Sequence, residues 1–251
     1  MENDVRQERT VYPGNVVAVE KLDGMLSHAF YRINRDEKKL LKLIYPNSPQ
    51  KIHWEAIRHL RVIGDNSEIP LEYFEKLGIH RGFYLNTDGS WLLVILPENS
   101  NLHEYLLHCG QQLESLWILN AKMHSLSFCR MINLKTLYLI DNSLLVAIEQ
   151  LACLTKLEKM ILQNSPVLTE LPGLEKLACL TSLSIRKCGL LSILPVLDAL
   201  TELTSLSLSR CNNLSTLVGL EKLTKLTTLD LSGCQKLATV PGLEHLEQLK
   251  E

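Results

Sequence analysis

The stretch Leu226-Thr227-Thr228-Leu229-Asp230-Leu231-Ser232-Gly233-Cys234 decides the fold, because its pattern returns along the chain at a constant step of 23 residues. With Leu226 counted as position 1 of a unit, the same position holds leucine in five other units: Leu134, Leu157, Leu180, Leu203 and Leu249. Apolar residues also recur at positions 4, 6, 12, 18 and 21 of five successive units. Independent columns that hold over so many units indicate an internal repeat.

Leucine is concentrated where this repeat lies. The chain has 251 residues, and 41 of its 53 leucines fall in residues 101–251. It is 46% hydrophobic with a formal net charge of -2, which excludes an intrinsically disordered chain. The near-neutral charge predicts no nucleic-acid partner, since phosphate contacts normally require a basic excess. The longest strongly apolar run, residues 91–96, is far shorter than the ~20 residues that cross a bilayer, so we expect no membrane partner.

The unit reads L-x-x-L-x-L-x-x-C/N-x-x-L and resembles the leucine-rich repeat. Its first half alternates as a strand with one buried face does, and its later leucines are spaced by three, as in a short helical turn. One unit cannot bury its own leucines, so neighbouring units must stack about 4.8 Å apart. We therefore predict an α/β solenoid: a leucine-rich-repeat horseshoe with a concave parallel β-sheet and short helical, 3-10 or irregular convex segments.

The pattern divides the chain into three parts. Residues 134–251 form the regular repeats, and the last unit is expected to be incomplete at the C-terminus because the chain stops as it opens. Residues 56–133 contain irregular repeats, marked by spaced apolar residues: Leu113, Leu116 and Ile118; Leu93 and Ile95; Leu60 and Val62. Residues 1–55 show no repeat and form an N-terminal segment whose fold the sequence does not specify. Short helices are predicted over 35–44 and 71–77.

Position 9 holds polar or thiol side chains in successive units: Asn142, Ser165, Cys188, Cys211 and Cys234. The resemblance implies that these inward side chains bond to the backbone of the loops. A zinc site is the alternative, but cysteines stacked in a ladder cannot surround one ion tetrahedrally. We therefore expect no metal.

The remaining cysteines bear on the cellular compartment. Cys153 and Cys179 lie in the second half of their units and are expected to be buried as small apolar residues. The chain has seven cysteines, an odd number, with no C-x-x-C pair and no secretory signal before them. We interpret them as reduced thiols in a cytoplasmic protein.

Motifs for catalysis are poor. The stretch His103-Glu104-Tyr105-Leu106-Leu107-His108 is close to the zinc-protease motif H-E-x-x-H but has one residue too many. On a helix its two histidines would lie about 140° apart and could not bind one ion from the same face. The glycine-rich motifs that bind phosphates, G-x-x-x-x-G-K and G-x-G-x-x-G, do not occur, and neither does the G-x-S-x-G motif of a nucleophilic serine. We therefore predict that the protein is not an enzyme and has no catalytic residue and no cofactor.

Functional residues are expected where the repeat leaves the sequence free to vary. On each strand, positions 3, 5, 7 and 8 should point away from the core onto the concave face. Along the units this face begins apolar and aromatic, turns basic, and ends small and polar. Aromatic and arginine side chains are favoured anchors for protein partners. The predicted partner-binding residues are Trp117, Leu119, Tyr138, Ile140, Ile161, Gln163, Arg186, Lys187, Arg210 and Asp230.

The aromatic start of this face has an alternative interpretation. Trp117, Tyr138 and Ile161 are either exposed anchors or are covered by the N-terminal segment, whose apolar residues need a surface to pack against. The sequence alone does not choose between the two.

Two stretches resemble the repeats of plant intracellular nucleotide-binding disease-resistance receptors: L-D-L-S-x-C within 226–234, and the proline-containing stretch 239–243. Residues 57–62 and 69–74 are similar to the irregular entry into such repeats. The resemblance implies a non-catalytic protein-binding module, the sensing part of an intracellular immune receptor, although the receptors' phosphate-binding loop does not occur here. The alternative is the substrate-recruiting arm of a bacterial-type leucine-rich-repeat effector whose catalytic domain lies outside this chain.

Overall fold

The structure is a computed structural model and describes residues 10–11, 41–44, 58–63, 82–86, 91–95 and 110–249. The chain divides into two compact units, Met1–Ser100 and Asn101–Glu251. The predicted divisions after residues 55 and 133 stay predictions. The helix predicted over 71–77 and the histidines of 103–108 lie outside the described residues.

The first compact unit contains five described strands: β1 (Thr10–Val11), β2 (Leu41–Ile44), β3 (His59–Ile63), β4 (Gly82–Asn86) and β5 (Trp91–Ile95). β1, β2, β4 and β5 pair antiparallel in that order, and β3 pairs parallel with β5. The helix predicted over 35–44 is wrong for its last four residues, because they form β2 between β1 and β4. A short apolar run of this kind suits a strand as well as a helix, and here the sheet decides.

The irregular repeats of this unit have a register that the sequence did not predict. Leu60 and Val62 are fully buried, as expected of core positions. β3 pairs with β5 so that Leu60 and Val62 lie opposite Leu92 and Val94. The repeat pattern predicts Leu93 and Ile95 as their equivalents, one residue later. In a run of consecutive apolar residues the alternation that fixes register is absent, which explains the offset of one.

The second compact unit is built on a parallel sheet of six strands: β6 (Ser115–Leu119), β8 (Thr136–Ile140), β10 (Lys159–Gln163), β11 (Ser182–Arg186), β12 (Ser205–Ser207) and β13 (Thr228–Asp230). Each strand pairs in parallel with the next, and equivalent positions of successive units lie level. A two-stranded parallel sheet joins β7 (Ser125–Ser127) to β9 (Ala147–Glu149). The predicted fold class, a parallel-strand solenoid with 3-10 turns, is confirmed.

The core is organised by a spacing of three residues. In the inner units every third side chain is buried from position 12 of one unit to position 4 of the next, as in Leu168, Leu171, Leu174, Leu177, Leu180 and Leu183, all at most 1% exposed. The backbone supports this spacing, because several of these amides donate to the carbonyl three residues earlier, for example Leu177 N to Leu174 O at 3.1 Å. Position 15 therefore belongs to the core as well, a column that the sequence comparison did not single out.

Short 3-10 helices follow position 17 in four units: Leu151–Cys153, Leu174–Lys176, Leu220–Lys222 and Leu243–His245. Each begins after a residue in the left-handed conformation, which is Gly219 with φ 94° in one unit and glycine in two others. In the unit that begins at Leu180, position 17 is Val196, and no 3-10 helix is assigned among the described residues there. A β-branched residue strongly disfavours the left-handed conformation, and the Leu197 amide instead donates to Val218 O of the next unit at 3.0 Å.

Across the residues that the structure describes, no helix has the length and apolar content needed to span a membrane.

Candidate partner-binding face

The sheet face consists of positions 3, 5, 7 and 8 of each unit. Along β10 and β11 the side chains alternate as predicted, with positions 4 and 6 buried and their neighbours reaching the surface. β6 and β8 differ, because nearly all their side chains are buried on both sides of the sheet. The ten predicted partner-binding residues therefore fall into a buried group and an accessible group.

The buried group, which we call the aromatic end, consists of Trp117, Leu119, Tyr138 and Ile140. These side chains are only 3–8% exposed. The rings of Trp117 and Tyr138 stack with centroids 3.8 Å apart and an angle of 21° between their planes, and the Trp117 indole Nε1 donates to Ser115 Oγ at 3.2 Å. A role for these residues as partner anchors stays a prediction.

The middle of the face is intermediate. Ile161 and Gln163 on β10 are half-buried. The Lys159 ammonium lies 5.6 Å from the centre of the Tyr138 ring, within the range of a cation–π contact. Accessibility therefore rises gradually from β8 to β11 instead of changing at one strand.

The cationic end of the face consists of Arg186, Lys187 and Arg210. Arg186 and Arg210 are exposed and Lys187 is half-buried. The backbone holds them level with the next units, since Lys187 N donates to Ser209 O at 3.0 Å and Arg210 N donates to Ser232 O at 2.7 Å. Within the described part of the chain, the charged groups of Lys187 and Arg210 form no ion pair.

Two other basic side chains of the solenoid, Lys135 and Lys225, are in ion pairs. Lys135 Nζ lies 2.9 Å from a Glu114 carboxylate oxygen, and Lys225 Nζ lies 2.6 Å from Glu202. Both pairs link adjacent units and are largely solvent-exposed, so each contributes little to stability. The cationic end differs from them in keeping its charge available to a ligand.

A chain of polar contacts orients Arg186. Its Nε donates to Ser207 Oγ at 3.2 Å, and the Ser207 hydroxyl donates to Asp230 Oδ2 at 3.1 Å. The backbone amide of Ser232 donates to Asp230 Oδ1 at 3.0 Å. Hydrogen bonds from Ser232 are the main cause that lowers the pKa of Asp230, aided by Ser207 and by the charge of Arg186. Asp230 is therefore a carboxylate that helps position the guanidinium.

Position 8 has a left-handed backbone in every unit of the sheet: Asn120, Asp141, Asn164, Lys187, Arg210 and Gly233, with φ between 54° and 76°. Asparagine, aspartate and glycine tolerate this conformation best. Lys187 and Arg210 adopt it without a short polar side chain to bond locally, which is less favourable. The turn is thus a fixed feature of the repeat, whereas the residues at the cationic end are not those that the turn prefers.

The position 9 side chains lie inward, and most of them bond as the resemblance implied. Asn142 accepts from Ala121 N at 2.9 Å and donates to Ile118 O at 3.1 Å. The thiols of Cys211 and Cys234 donate to the equivalent carbonyl of the preceding unit, at 3.5 Å and 2.9 Å. Asn142, Cys211 and Cys234 therefore each tie their unit to the one before it.

Ser165 is an exception to this prediction. Its hydroxyl is buried and has no hydrogen-bond partner among the described residues. A serine side chain is shorter than asparagine, and oxygen bonds over a shorter distance than sulfur, so the preceding carbonyl is out of its reach. A buried hydroxyl without a partner lowers stability.

Burial disfavours the nucleophilic thiolate form of the position 9 cysteines. Burial raises the pKa of Cys188 to about 12 and that of Cys211 to about 11. At neutral pH both are protonated, as their role as donors requires. All six described cysteines are free thiols.

The expectation that Cys153 and Cys179 are buried is wrong. Cys153 is half-exposed and Cys179 is exposed. They occupy positions 20 and 23, between the buried positions of the three-residue spacing, so their side chains point outward. A small apolar residue in this half of the unit is buried only when it occupies one of the positions, three residues apart, that point into the core.

Ser207 and Ser232 are site residues that the sequence reasoning missed. Ser207 is only 7% exposed, yet it joins Arg186 to Asp230. The signal was available, because Ser207 and Asp230 occupy position 5 of successive units and are direct neighbours on β12 and β13. A serine beside an aspartate in one column predicts a hydrogen bond once the strands are known to be parallel and in register.

Among the described residues, no group of histidine, cysteine, aspartate and glutamate side chains is placed to hold a metal ion. Residues 201–245 match a family model described as Leucine Rich repeats (2 copies). The described solenoid has the leucine-rich-repeat fold. The match covers the units of β12 and β13 and thus includes Arg210 and Asp230. No curated protein matches the chain.

Proposed function

We propose that this chain is a non-catalytic protein-interaction module that binds its partner through the accessible part of the sheet face, at the cationic end. The observation that carries the proposal is the orientation of Arg186 by Ser207 and Asp230. Arginine held in one orientation loses less conformational entropy on binding than a free surface side chain, which favours its use as an anchor.

The surroundings of Arg186 support the same proposal. The neighbouring face positions are small and hydroxylated, with Ser184 on β11 and Ser209, two residues after β12, half-exposed beside the cations. Small side chains let a partner approach the sheet closely, and hydroxyls can both donate and accept hydrogen bonds. A leucine-rich-repeat solenoid is a scaffold for such a surface, since its core residues leave the face positions free to vary.

We further propose that the module is the sensing part of an intracellular immune receptor of the disease-resistance type and acts in the cytoplasm. The stretch 226–234, which resembles the repeats of those receptors, supports this assignment. The free thiols fit a reducing compartment. A substrate-recruiting arm of a bacterial-type effector would use the same architecture, and the receptor-like stretch favours the receptor over it.

Site-specific photo-crosslinking tests the proposed face. A benzophenone amino acid is introduced at Ser184 or Ser209 on the sheet face, and at the exposed Thr201 on the opposite half of a unit as the matched control. After irradiation in a plant cell lysate, we expect discrete protein adducts from the two face positions and none from Thr201.

Thermal melts of the three labelled proteins must first show the same unfolding temperature, so that differences reflect the surface and not the fold. Adducts that form from Thr201 alone, or equally from all three positions, would contradict the assignment of the binding face.

A further inference from the structure

We infer that the cationic end binds an acidic segment of its protein partner, a stretch rich in aspartate and glutamate. The inference rests on the proposed function and adds the chemistry of the partner. It starts from the charge of the face on β11 to β13 and the turns that follow. There Arg186, Lys187 and Arg210 are cationic and Asp230 is the one carboxylate at positions 3, 5, 7 and 8, which leaves an excess of two positive charges.

The cationic end carries two costs in stability. Lys187 and Arg210 both have left-handed backbones, with φ of 54° and 59°. They also occupy the same position of adjacent units, so two like charges project from neighbouring turns about 4.8 Å apart along the sheet. Unfavourable backbone and charge arrangements that persist in a fold are typical of functional sites.

The surroundings of Lys187 and Arg210 leave both cations accessible. A Cβ added to Gly233 would come within 3.2 Å of Arg210 Cγ, so the glycine leaves Arg210 room beside the next unit. A Cβ added to Gly189 would meet nothing within 4 Å, so the space at that position is open. Arg210 is exposed and Lys187 is half-buried, and a ligand can therefore reach both.

Carboxylates fit the donors of this surface. Arg186 uses Nε to bond Ser207, and its two terminal nitrogens have no hydrogen-bond partner among the described residues. Those nitrogens can form a paired contact with a carboxylate, while Lys187 and Arg210 supply further charge. Exposed aromatic rings, on which nucleic-acid bases would stack, are absent from the described face of β11 to β13. The surface thus favours an acidic peptide over a nucleic acid.

The probe for the experiment is a fluorescein-labelled peptide with six aspartate and glutamate residues separated by glycine and serine. Its binding to the full chain is measured by fluorescence anisotropy at low and physiological salt. The matched variants are R186Q/K187Q/R210Q and a control, K122Q/K176Q/K222Q, which removes three exposed cations elsewhere. We expect the first variant to bind about tenfold or more weakly and the control to bind nearly as the parent does.

Three results would overturn the inference. They are equal binding by the R186Q/K187Q/R210Q variant and the parent, equal binding of a peptide in which asparagine and glutamine replace the acids, and tighter binding of a single-stranded oligonucleotide of the same charge. Circular dichroism melts confirm that both variants are folded. If the triple variant loses none of the crosslinks formed from Ser209, the proposed function stands and the acidic partner is wrong. If no crosslinks form from Ser184 or Ser209 although the peptide binds, the proposed function is wrong, and this result is distinct from a failure of the acidic-partner inference.

Discussion

The aromatic end and the cationic end of the sheet face have the same backbone but different surfaces. Tyr138 and Ser184 both occupy position 5, yet Tyr138 is 4% exposed and Ser184 is half-exposed. Position in the repeat therefore fixes the direction of a side chain but not its accessibility. The buried aromatic end should contribute mainly to stability, whereas the recognition that we propose lies at the cationic end.

Trp117→Ala is expected to have the largest effect on folding. It removes a buried ring that stacks on Tyr138, so the free energy of unfolding should fall by about 3–5 kcal/mol. Ser184→Ala, at the same position of a later unit, should change it by less than about 0.5 kcal/mol. Urea denaturation measures both. Similar effects of the two substitutions would break the distinction between the two ends.

Asn142→Ala tests how the units near the aromatic end are joined. It leaves Ala121 N and Ile118 O without their partners, and the free energy of unfolding should fall by about 2–4 kcal/mol. Cys211→Ala, at the same position nearer the cationic end, removes a weak thiol donor and should cost less. If Cys211→Ala is the more damaging change in urea denaturation, the thiol bonds are stronger than their chemistry implies.

Ser165→Cys should stabilise the protein by about 1 kcal/mol. It replaces a buried hydroxyl that has no partner with a thiol, the group that bonds the preceding unit elsewhere in the column. Exposed Ser192→Cys serves as the control for added thiol content. A loss of stability on Ser165→Cys would indicate that the serine hydroxyl has a partner in solution.

Alkaline pH should destabilise the units that contain Cys188 and Cys211, because it favours ionisation of these two thiols. Because the folded-state pKa of Cys188 is about 12 and that of Cys211 about 11, both stay protonated when unfolded thiols, with a pKa near 8.5, ionise. Their contribution to stability is complete below about pH 8.5 and is lost as the pH rises toward 11 and 12. Each thiol adds a slope of about 1.4 kcal/mol per pH unit at most.

The measurement is the unfolding free energy between pH 8 and 10.5 for the parent and for Cys188→Ala/Cys211→Ala. The difference between the two proteins should shrink as the pH rises, which separates these thiols from lysine and tyrosine titration. A constant difference would contradict the assignment of raised pKa values to the two thiols.

Lys187→Asn and Arg210→Asn have the smallest expected effects on the free energy of unfolding, and unlike Trp117→Ala and Asn142→Ala they should raise it. Asparagine tolerates the left-handed backbone better and removes a like charge, so each change should stabilise the fold by about 0.5–1 kcal/mol. Lys176→Asn, in a 3-10 helix, is the control without a left-handed backbone. Destabilisation by both substitutions would show that the cations support the fold instead of serving a ligand.

The repeat, its 23-residue step and the parallel register were predictable from the sequence, because each leucine column is a direct record of a core position. The inward position 9 was implied by the resemblance to the leucine-rich repeat. Position 15 was not singled out, although it is apolar in every regular unit and the three-residue spacing includes it. The left-handed turn at position 8 was hidden for a different reason, since lysine and arginine do not signal it.

Accessibility was the part of the site that the sequence did not determine. A pattern of alternation places Trp117 and Tyr138 on the sheet face, but burial depends on what else lies against that face. The partnership of Arg186, Ser207 and Asp230 likewise depends on side-chain directions across three strands. Val196 shows that the repeat length alone does not determine the local structure of a unit. It occupies position 17, where three other units have glycine, and no 3-10 helix is assigned after it among the described residues.

The most direct test measures folding and recognition together in two variants, W117A/Y138A and R186Q/K187Q/R210Q. Thermal unfolding and the yield of crosslinks from Ser209 are recorded for each. We predict that W117A/Y138A lowers the unfolding temperature by about 10 °C or more. R186Q/K187Q/R210Q should keep the unfolding temperature within about 2 °C of the parent value and lose most of the crosslinked product. The account would be contradicted if W117A/Y138A remained as stable as the parent and lost the crosslinks while the charge variant retained them.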